Sequence, residues 1–260
     1  MLGLELAGVA VWFPPRPPVL VDVDLQVPPG QCVAVLGANG SGKSMLLKVV
    51  AGALAPSRGV VRVGPWPPGE IPGGTVAWMS SDADGGLVGA TVRDHVNFYR
   101  PPADRVAAAL DRFGLGRLAD RGVDTLSPGE KQRVALAGWF AGGAAVWLLD
   151  EPTATLDPEA AADVRRLIRE LVGEGATILI ATHAAAEMAE ADRVVVLEAG
   201  RVVFDGTPAS LVAREPHPWT VPGSAVAATG RALRQDPRGA TAPVTPDPTR
   251  LVAWVACASR

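Results

Sequence analysis

Apolar and polar positions along this chain follow two periods. Leu2–Leu6 and Val19–Val27 alternate, which predicts strands on either side of a proline-rich loop, Pro14–Pro18. Pro28-Pro29-Gly30 is a turn signal, and Gln31–Leu36 then reads as a buried strand. Gly59–Val63, Thr75–Met79, Ala145–Leu149, Thr177–Ala181 and Val194–Leu197 are further strand-length runs. Val202–Asp205 is placed to pair with the last of these through Glu198-Ala199-Gly200. Helical spacing predicts helices over Lys43–Gly52, Thr91–Tyr99 and Ala103–Phe113, the last with Val106, Leu110 and Phe113 on one face. It also predicts them over Pro128–Ala141, with proline at the start where no amide donor is missed, and over Pro158–Val172, with Asp157 as N-cap. Strands alternating with helices imply an α/β fold with a mainly parallel sheet and helices on its faces.

The pattern stops after Arg214. Residues 215–260 hold seven of the 24 prolines and no sustained periodicity, so this tail is expected to be flexible or loosely docked. The domain reading is therefore 1–214 as one folded unit and 215–260 as a proline-rich tail.

Composition narrows the function classes. Of 260 residues, 48% are hydrophobic and 20% charged, enough apolar side chains for a sizeable core. The net charge of −3 gives no basic surface for nucleic acid, so no nucleic-acid partner is expected. Cys32 and Cys257 fit neither a disulfide framework nor a metal spacing, which suits a reducing compartment. The uncharged apolar stretch Ala135–Leu149 is shorter than the ~20 residues of a spanning helix. With no basic segment and apolar block at the N-terminus, a cytoplasmic chain is expected. Lysine is rare, with only Lys43, Lys48 and Lys131 against 21 arginines, so a lysine inside a motif carries weight.

Such a motif is Gly37-Ala-Asn39-Gly40-Ser41-Gly42-Lys43-Ser44, which fits G-x-x-x-x-G-K-[ST] between a predicted strand and a predicted helix. Glycines let the backbone curl into a nest of inward N–H groups, and the following helix adds the positive end of its dipole. Lys43 offers charge to the β- and γ-phosphates, and Ser44 offers a hydroxyl to Mg²⁺. A second motif is the apolar strand Val146-Trp-Leu-Leu-Asp150-Glu151. An acid pair at a strand tip is often structural. Beside a phosphate loop, Asp150 can hold Mg²⁺ through water and Glu151 can orient and polarise an attacking water.

The third motif is Leu126-Ser127-Pro128-Gly129-Glu130, followed downstream by Pro152-Thr-Ala-Thr-Leu156-Asp157 and Thr182-His183. In this order the set resembles an ATP-binding cassette ATPase, the nucleotide-binding subunit of an ABC transporter, over residues 2–214. The resemblance implies a P-loop fold with a RecA-like core, an antiparallel β portion near the N-terminus and a small helical subdomain at about 82–141. It implies ATP and Mg²⁺ as ligands, hydrolysis, a second cassette as homo- or heterodimeric partner, and a transmembrane permease on whose cytoplasmic side the chain would sit. Residue by residue it implies that Phe13, with Trp12 as rival, stacks on adenine. Ser127, Gly129 and Glu130 would form the signature that meets the γ-phosphate held by the opposite protomer. Leu156 and Asp157 would lie at the dimer interface, and His183 would contact the γ-phosphate as a switch. His95 and His217 are expected to be structural.

Three positions depart from the family pattern. Counting back from Thr91-Val92 puts Ser81, beside Ser80 and Asp82, where the family has a metal- and water-contacting glutamine. Pro128 replaces the first signature glycine, and Met45 stands where a threonine is common. Val134-Ala-Leu-Ala-Gly138 and Asp84–Val92 resemble cobalt-type and energy-coupling-factor importers. Two rival readings are a low-turnover regulatory cassette, for which Ser81 is the support, and a soluble ABC ATPase outside transport. Tandem cassettes or long coiled coils mark the latter, and the sequence has neither.

Overall fold

The computed structural model describes residues 1–80 and 86–213. Ser81, Asp82, His217, Cys257 and the proline-rich tail lie outside the described residues.

Six strands form the central sheet. They are β3 (Cys32–Leu36), β5 (Val76–Met79), β6 (Val146–Asp150), β7 (Thr177–Ala181), β8 (Arg193–Glu198) and β9 (Arg201–Gly206). Their spatial order is β5-β6-β7-β3-β8-β9, all parallel except β9, which hairpins back onto β8. A strand buried on both faces carries apolar residues at every position, and β3, β6 and β7 are buried throughout. Their side chains alternate between two cores. Ala34, Trp147, Leu149, Ile178 and Ile180 join the core on one face, while Val33, Val35, Leu148 and Leu179 join the core on the other.

The second core is closed by helix α1 (Lys43–Val50) and by an antiparallel sheet of β2 (Leu20–Val27), β1 (Leu4–Val11) and β4 (Arg58–Val63), in that order. Strand β1 runs five residues beyond the alternating stretch seen in the sequence. Its register shifts between Leu6 and Val9, a bulge that breaks the period-two signal. The first core is closed by α4 (Pro128–Gly142) and α5 (Pro158–Gly173), which follow α2 (Val92–Val96) and α3 (Ala103–Arg112). Helices α2, α3 and α4 pack on one another. Helix α2 is shorter than Thr91–Tyr99, because Asn97 leaves helical geometry and Arg100 takes φ 51°. Two short helices, α6 (Ala185–Glu190) and α7 (Pro208–Ala213), carried no periodicity long enough to read. Among the described residues no helix is long and apolar enough to cross a membrane.

This topology gathers chemistry at one edge. The carboxyl ends of β3, β6 and β7 open onto Gly37–Ser44, Glu151 and His183, where parallel sheets build their sites.

Candidate nucleotide-binding and hydrolytic site

The loop 37–42 takes backbone angles that L side chains avoid. Gly37 has φ 153°, Gly40 φ 80° and Gly42 φ 109°. At Gly37 a Cβ would stand 2.3 Å from the Leu197 carbonyl oxygen and 2.4 Å from Ser41 Oγ, and at Gly42 one would stand 2.7 Å from Leu20 Cδ2. Both positions therefore demand glycine on conformation and on space. Ser41 N–H donates to the Ala38 carbonyl at 3.1 Å, and the Ser41 carbonyl accepts from Gly200 N–H at 3.0 Å, which pins the loop to the β8–β9 turn. Ala38, Asn39 and Gly40 form the exposed rim, Ser41 is buried, and Ser44 is exposed in the first turn of α1. The first amides of that helix have no partner within the helix, so they face outward as anion donors.

Lys43 folds back under the loop. Its ammonium donates to the carbonyls of Gly37 at 2.8 Å and Ala38 at 3.2 Å, and to His183 Nε2 at 3.0 Å. His183 can accept there only as the neutral ring with its proton on Nδ1. Burial, and then the Lys43 charge, push the His183 pKa below the ordinary histidine value, which favours that form. Glu151 Oε1 lies 3.4 Å from the same Nε2. With the ring neutral this is a polar contact between acceptors, bridged electrostatically by the lysine. Burial lowers the Lys43 pKa, and the Glu151 and Asp150 charges push it back up. The glycine-rich loop with Lys43, the strand-tip acids and His183 thus form one electrostatic unit.

Two features set the acids apart. Asp150 is buried at the last position of β6, opposite Ala181. Glu151 breaks from the strand with φ 52°, a left-handed conformation that costs a non-glycine residue about 1–3 kcal/mol. Its N–H donates to the Ala181 carbonyl at 2.8 Å and its own carbonyl accepts from Ala154 N–H at 3.2 Å, which hold the turn. The two neighbours therefore point differently: one carboxylate stays in the sheet edge and the other swings out to the histidine.

The signature is built separately. Ser127 is the N-cap of α4, its Oγ accepting from Glu130 N–H at 3.3 Å while Glu130 Oε2 accepts from Ser127 N–H at 2.7 Å. This reciprocal capping box explains the pairing of Ser127 with Glu130. The Ser127 amide holds the Glu130 carboxyl below the usual carboxylate range. Pro128 occupies the first helical position, where it costs no hydrogen bond, so the replaced signature glycine leaves the helix start intact. Gly129 has Ala160 beside it, a Cβ there falling 3.3 Å from the Ala160 methyl. Ser127, Gly129 and Glu130 line a cleft of about 320 Å³ with Leu156, Asp157 and Ala160. None of residues 37–44 lines that cleft. Asp157 caps α5, its Oδ1 accepting from Glu159 N–H at 3.1 Å and Ala160 N–H at 2.9 Å. Phe13 and Trp12, 43% and 40% exposed, both stand free after β1.

Sequence reasoning missed the groups behind the site. Thr153 and Thr182 are buried, and Thr153 Oγ1 donates to Glu187 Oε1 at 2.7 Å. The available signal was a pair of acids, Glu187 and Glu190, in the alanine-rich stretch after His183.

The comparisons with known proteins agree with this geometry. A model of the ABC transporter family matches residues 20–154. The energy-coupling factor transporter ATP-binding protein EcfA1 of Lacticaseibacillus paracasei is 41% identical over 209 residues, 74% of this chain and 74% of that protein. The EcfA1 of Halalkalibacterium halodurans is 36% identical over 223 residues, 80% of each. Among solved structures, cbiO1 of Clostridium perfringens, part of the ABC transporter complex cbiONQ, superposes with TM-score 0.75 at 30% identity, covering 90% of this chain and 96% of that one. With a phosphate loop over Lys43, a strand-tip acid pair, a capped signature helix and relatives of this closeness, the chain belongs to the ABC transporter family, as an ATP-binding and ATP-hydrolysing subunit.

Proposed function

We propose that two cassettes bind MgATP head to tail, the phosphate loop of one facing the signature of the other, and that hydrolysis opens the pair and drives a membrane permease. The observation that carries this reading is the separation of half-sites. Lys43, His183 and Glu151 stand within hydrogen-bonding or close polar distance of one another, while Ser127 caps a helix that lines a different cleft with Leu156 and Asp157. Two such half-sites fit a γ-phosphate that is reached from two chains.

In this reading the triphosphate replaces the Gly37 and Ala38 carbonyls as partner of the Lys43 ammonium. The loop amides cradle it, and Phe13 or Trp12 stacks on adenine. His183, neutral while Lys43 faces it, turns to the γ-phosphate. Glu151 orients and polarises the attacking water. Mg²⁺ supplies charge neutralisation at the β- and γ-phosphates when bound, and the Ser44 hydroxyl and the buried Asp150 carboxylate are the residues that would hold it. Mg²⁺ keeps waters and phosphate oxygens as most of its ligands, so two protein groups suffice.

Support for a permease comes from the relatives' transport assemblies and from the α2 corner, where Val88, Phe98 and Tyr99 leave apolar side chains exposed. The chain would then sit on the cytoplasmic face of the membrane through that partner. Glu151→Gln tests the hydrolytic assignment. It keeps the side-chain shape and loses the charge, so the variant should bind MgATP, stop turning over and elute as an ATP-bound dimer in size-exclusion chromatography. Turnover at the wild-type rate would show that another group activates the water.

A further inference from the structure

Glu151 and His183 leave the sheet from adjacent strands, β6 and β7, and neither backbone alone fixes where its side chain points. Glu151 sits in a left-handed conformation that persists only where its surroundings hold it. Two residues later comes Thr153, 8% exposed; one residue before His183 comes Thr182, 2% exposed. The Thr153 hydroxyl reaches the carboxyl of Glu187 in α6. Thr153 Oγ1 donates to Glu187 Oε1 at 2.7 Å, and Glu187 Oε2 has no hydrogen-bond partner among the described residues. Thr182 Oγ1 in turn accepts from Ala184 N–H at 2.9 Å, and Thr182 N–H donates to the Val35 carbonyl at 3.1 Å. Glu187 itself is 3% exposed. Burial raises its pKa, while the Thr153 hydroxyl and Arg165 lower it, so the group is kept inside by its partners.

A carboxyl buried this deeply costs free energy unless its hydrogen bonds are made. The side chain lines a cavity of about 300 Å³ together with the apolar Ile168 and Ile180 and the charged Arg165, Arg169, Glu190 and Asp192. The carboxyl ties the segment after Glu151 to α6, the helix that follows His183.

We propose that Glu187 is a positioning residue for ATP hydrolysis, holding the Glu151 turn against α6, the helix that follows His183, through its hydrogen bond to Thr153. This rests on the assignment of Glu151 and His183 proposed above. Substrate is not touched by Glu187, Thr153 or Thr182 in this scheme.

Steady-state ATPase of the full chain over an ATP titration tests it, with Glu187→Leu, Glu187→Gln, Thr153→Val and Glu151→Gln side by side. Glu187→Leu and Thr153→Val should lower kcat about 10- to 100-fold, as a misplaced catalytic group does, with KM for ATP within about twofold and thermal melting retained. Glu187→Gln keeps a carbonyl acceptor for the Thr153 hydroxyl and should hold kcat within about twofold of wild type. Combining Thr153→Val with Glu187→Leu should add little to either alone, because both cut the same tie. Unchanged kcat in Glu187→Leu and Thr153→Val would overturn the inference. So would a change confined to KM, or a Glu187→Gln as damaging as Glu187→Leu. Should Glu187→Leu fail to fold, Thr153→Val, which keeps its volume, decides alone. If Glu151→Gln itself retains turnover, the hydrolytic assignment falls rather than the tie.

Discussion

At the scale of single residues the site is a problem of charge placement. One ammonium under a loop of carbonyls and amides is stabilised by two strand-tip acids and shared with a neutral imidazole. Replacing it removes a charge-assisted contact to phosphate, worth about 1.5–3 kcal/mol. Lys43→Ala should therefore weaken MgATP binding by roughly 10- to 150-fold in equilibrium titration without lowering the melting temperature much, and unchanged affinity would remove the loop from the binding site. Lys43 was legible because lysine is rare in this chain and its motif is long. Asp150, Glu151 and His183 became legible only in company, since an acid at a strand tip or a histidine after a strand is common. Glu187 was not legible. Its partner Thr153 stands 34 positions earlier in the chain, and no local period reports a contact of that range.

At the scale of elements, the helical part shows how chemistry-bearing residues can serve packing. His95 on α2 is 5% exposed, and its Nδ1 accepts from Val88 N–H at 3.0 Å. Its ring lies against Gly138 of α4, where a Cβ would fall 2.7 Å from Nε2, so a glycine there lets the two helices approach. Burial lowers the His95 pKa from 6.5 to about 4. The unfolded chain takes up the proton first as pH falls. The stabilisation is therefore complete above pH 6.5, is lost between about 6.5 and 4, and amounts to roughly 3 kcal/mol across that interval. Melting temperature should fall more steeply over that interval in wild type than in His95→Leu, and parallel curves would refute the burial account. Arg112 of α3 adds a second lock, donating to both Glu174 oxygens at 2.6 and 2.7 Å beyond the end of α5 and stacking 4.8 Å above the Phe140 ring of α4. Long amphipathic helices such as α5 and the fully apolar strands were readable to within a residue or two. Where a bulge interrupts alternation in β1, or a helix has six residues as α6 does, periodicity has too few repeats to report.

At the scale of the whole molecule, the order of motifs along the sequence carried the family. It could not show that the signature lines a cleft to which none of residues 37–44 contributes, because that depends on how α4 packs against α5 and β6. The central claim is that each working site takes Lys43 and Glu151 from one chain and Ser127 from another. Mixing two inactive variants tests it most directly. Lys43→Ala cannot hold phosphate, and Ser127→Arg blocks the trans contact. In a mixed pair one site keeps an intact Lys43 from one chain and an intact Ser127 from the other, and the second site loses both. ATPase measured on an equal mixture should therefore rise from the background of either variant to as much as about a quarter of wild type, since half of random pairs are mixed and each has one intact site of two. A mixture no more active than its components would contradict the shared site.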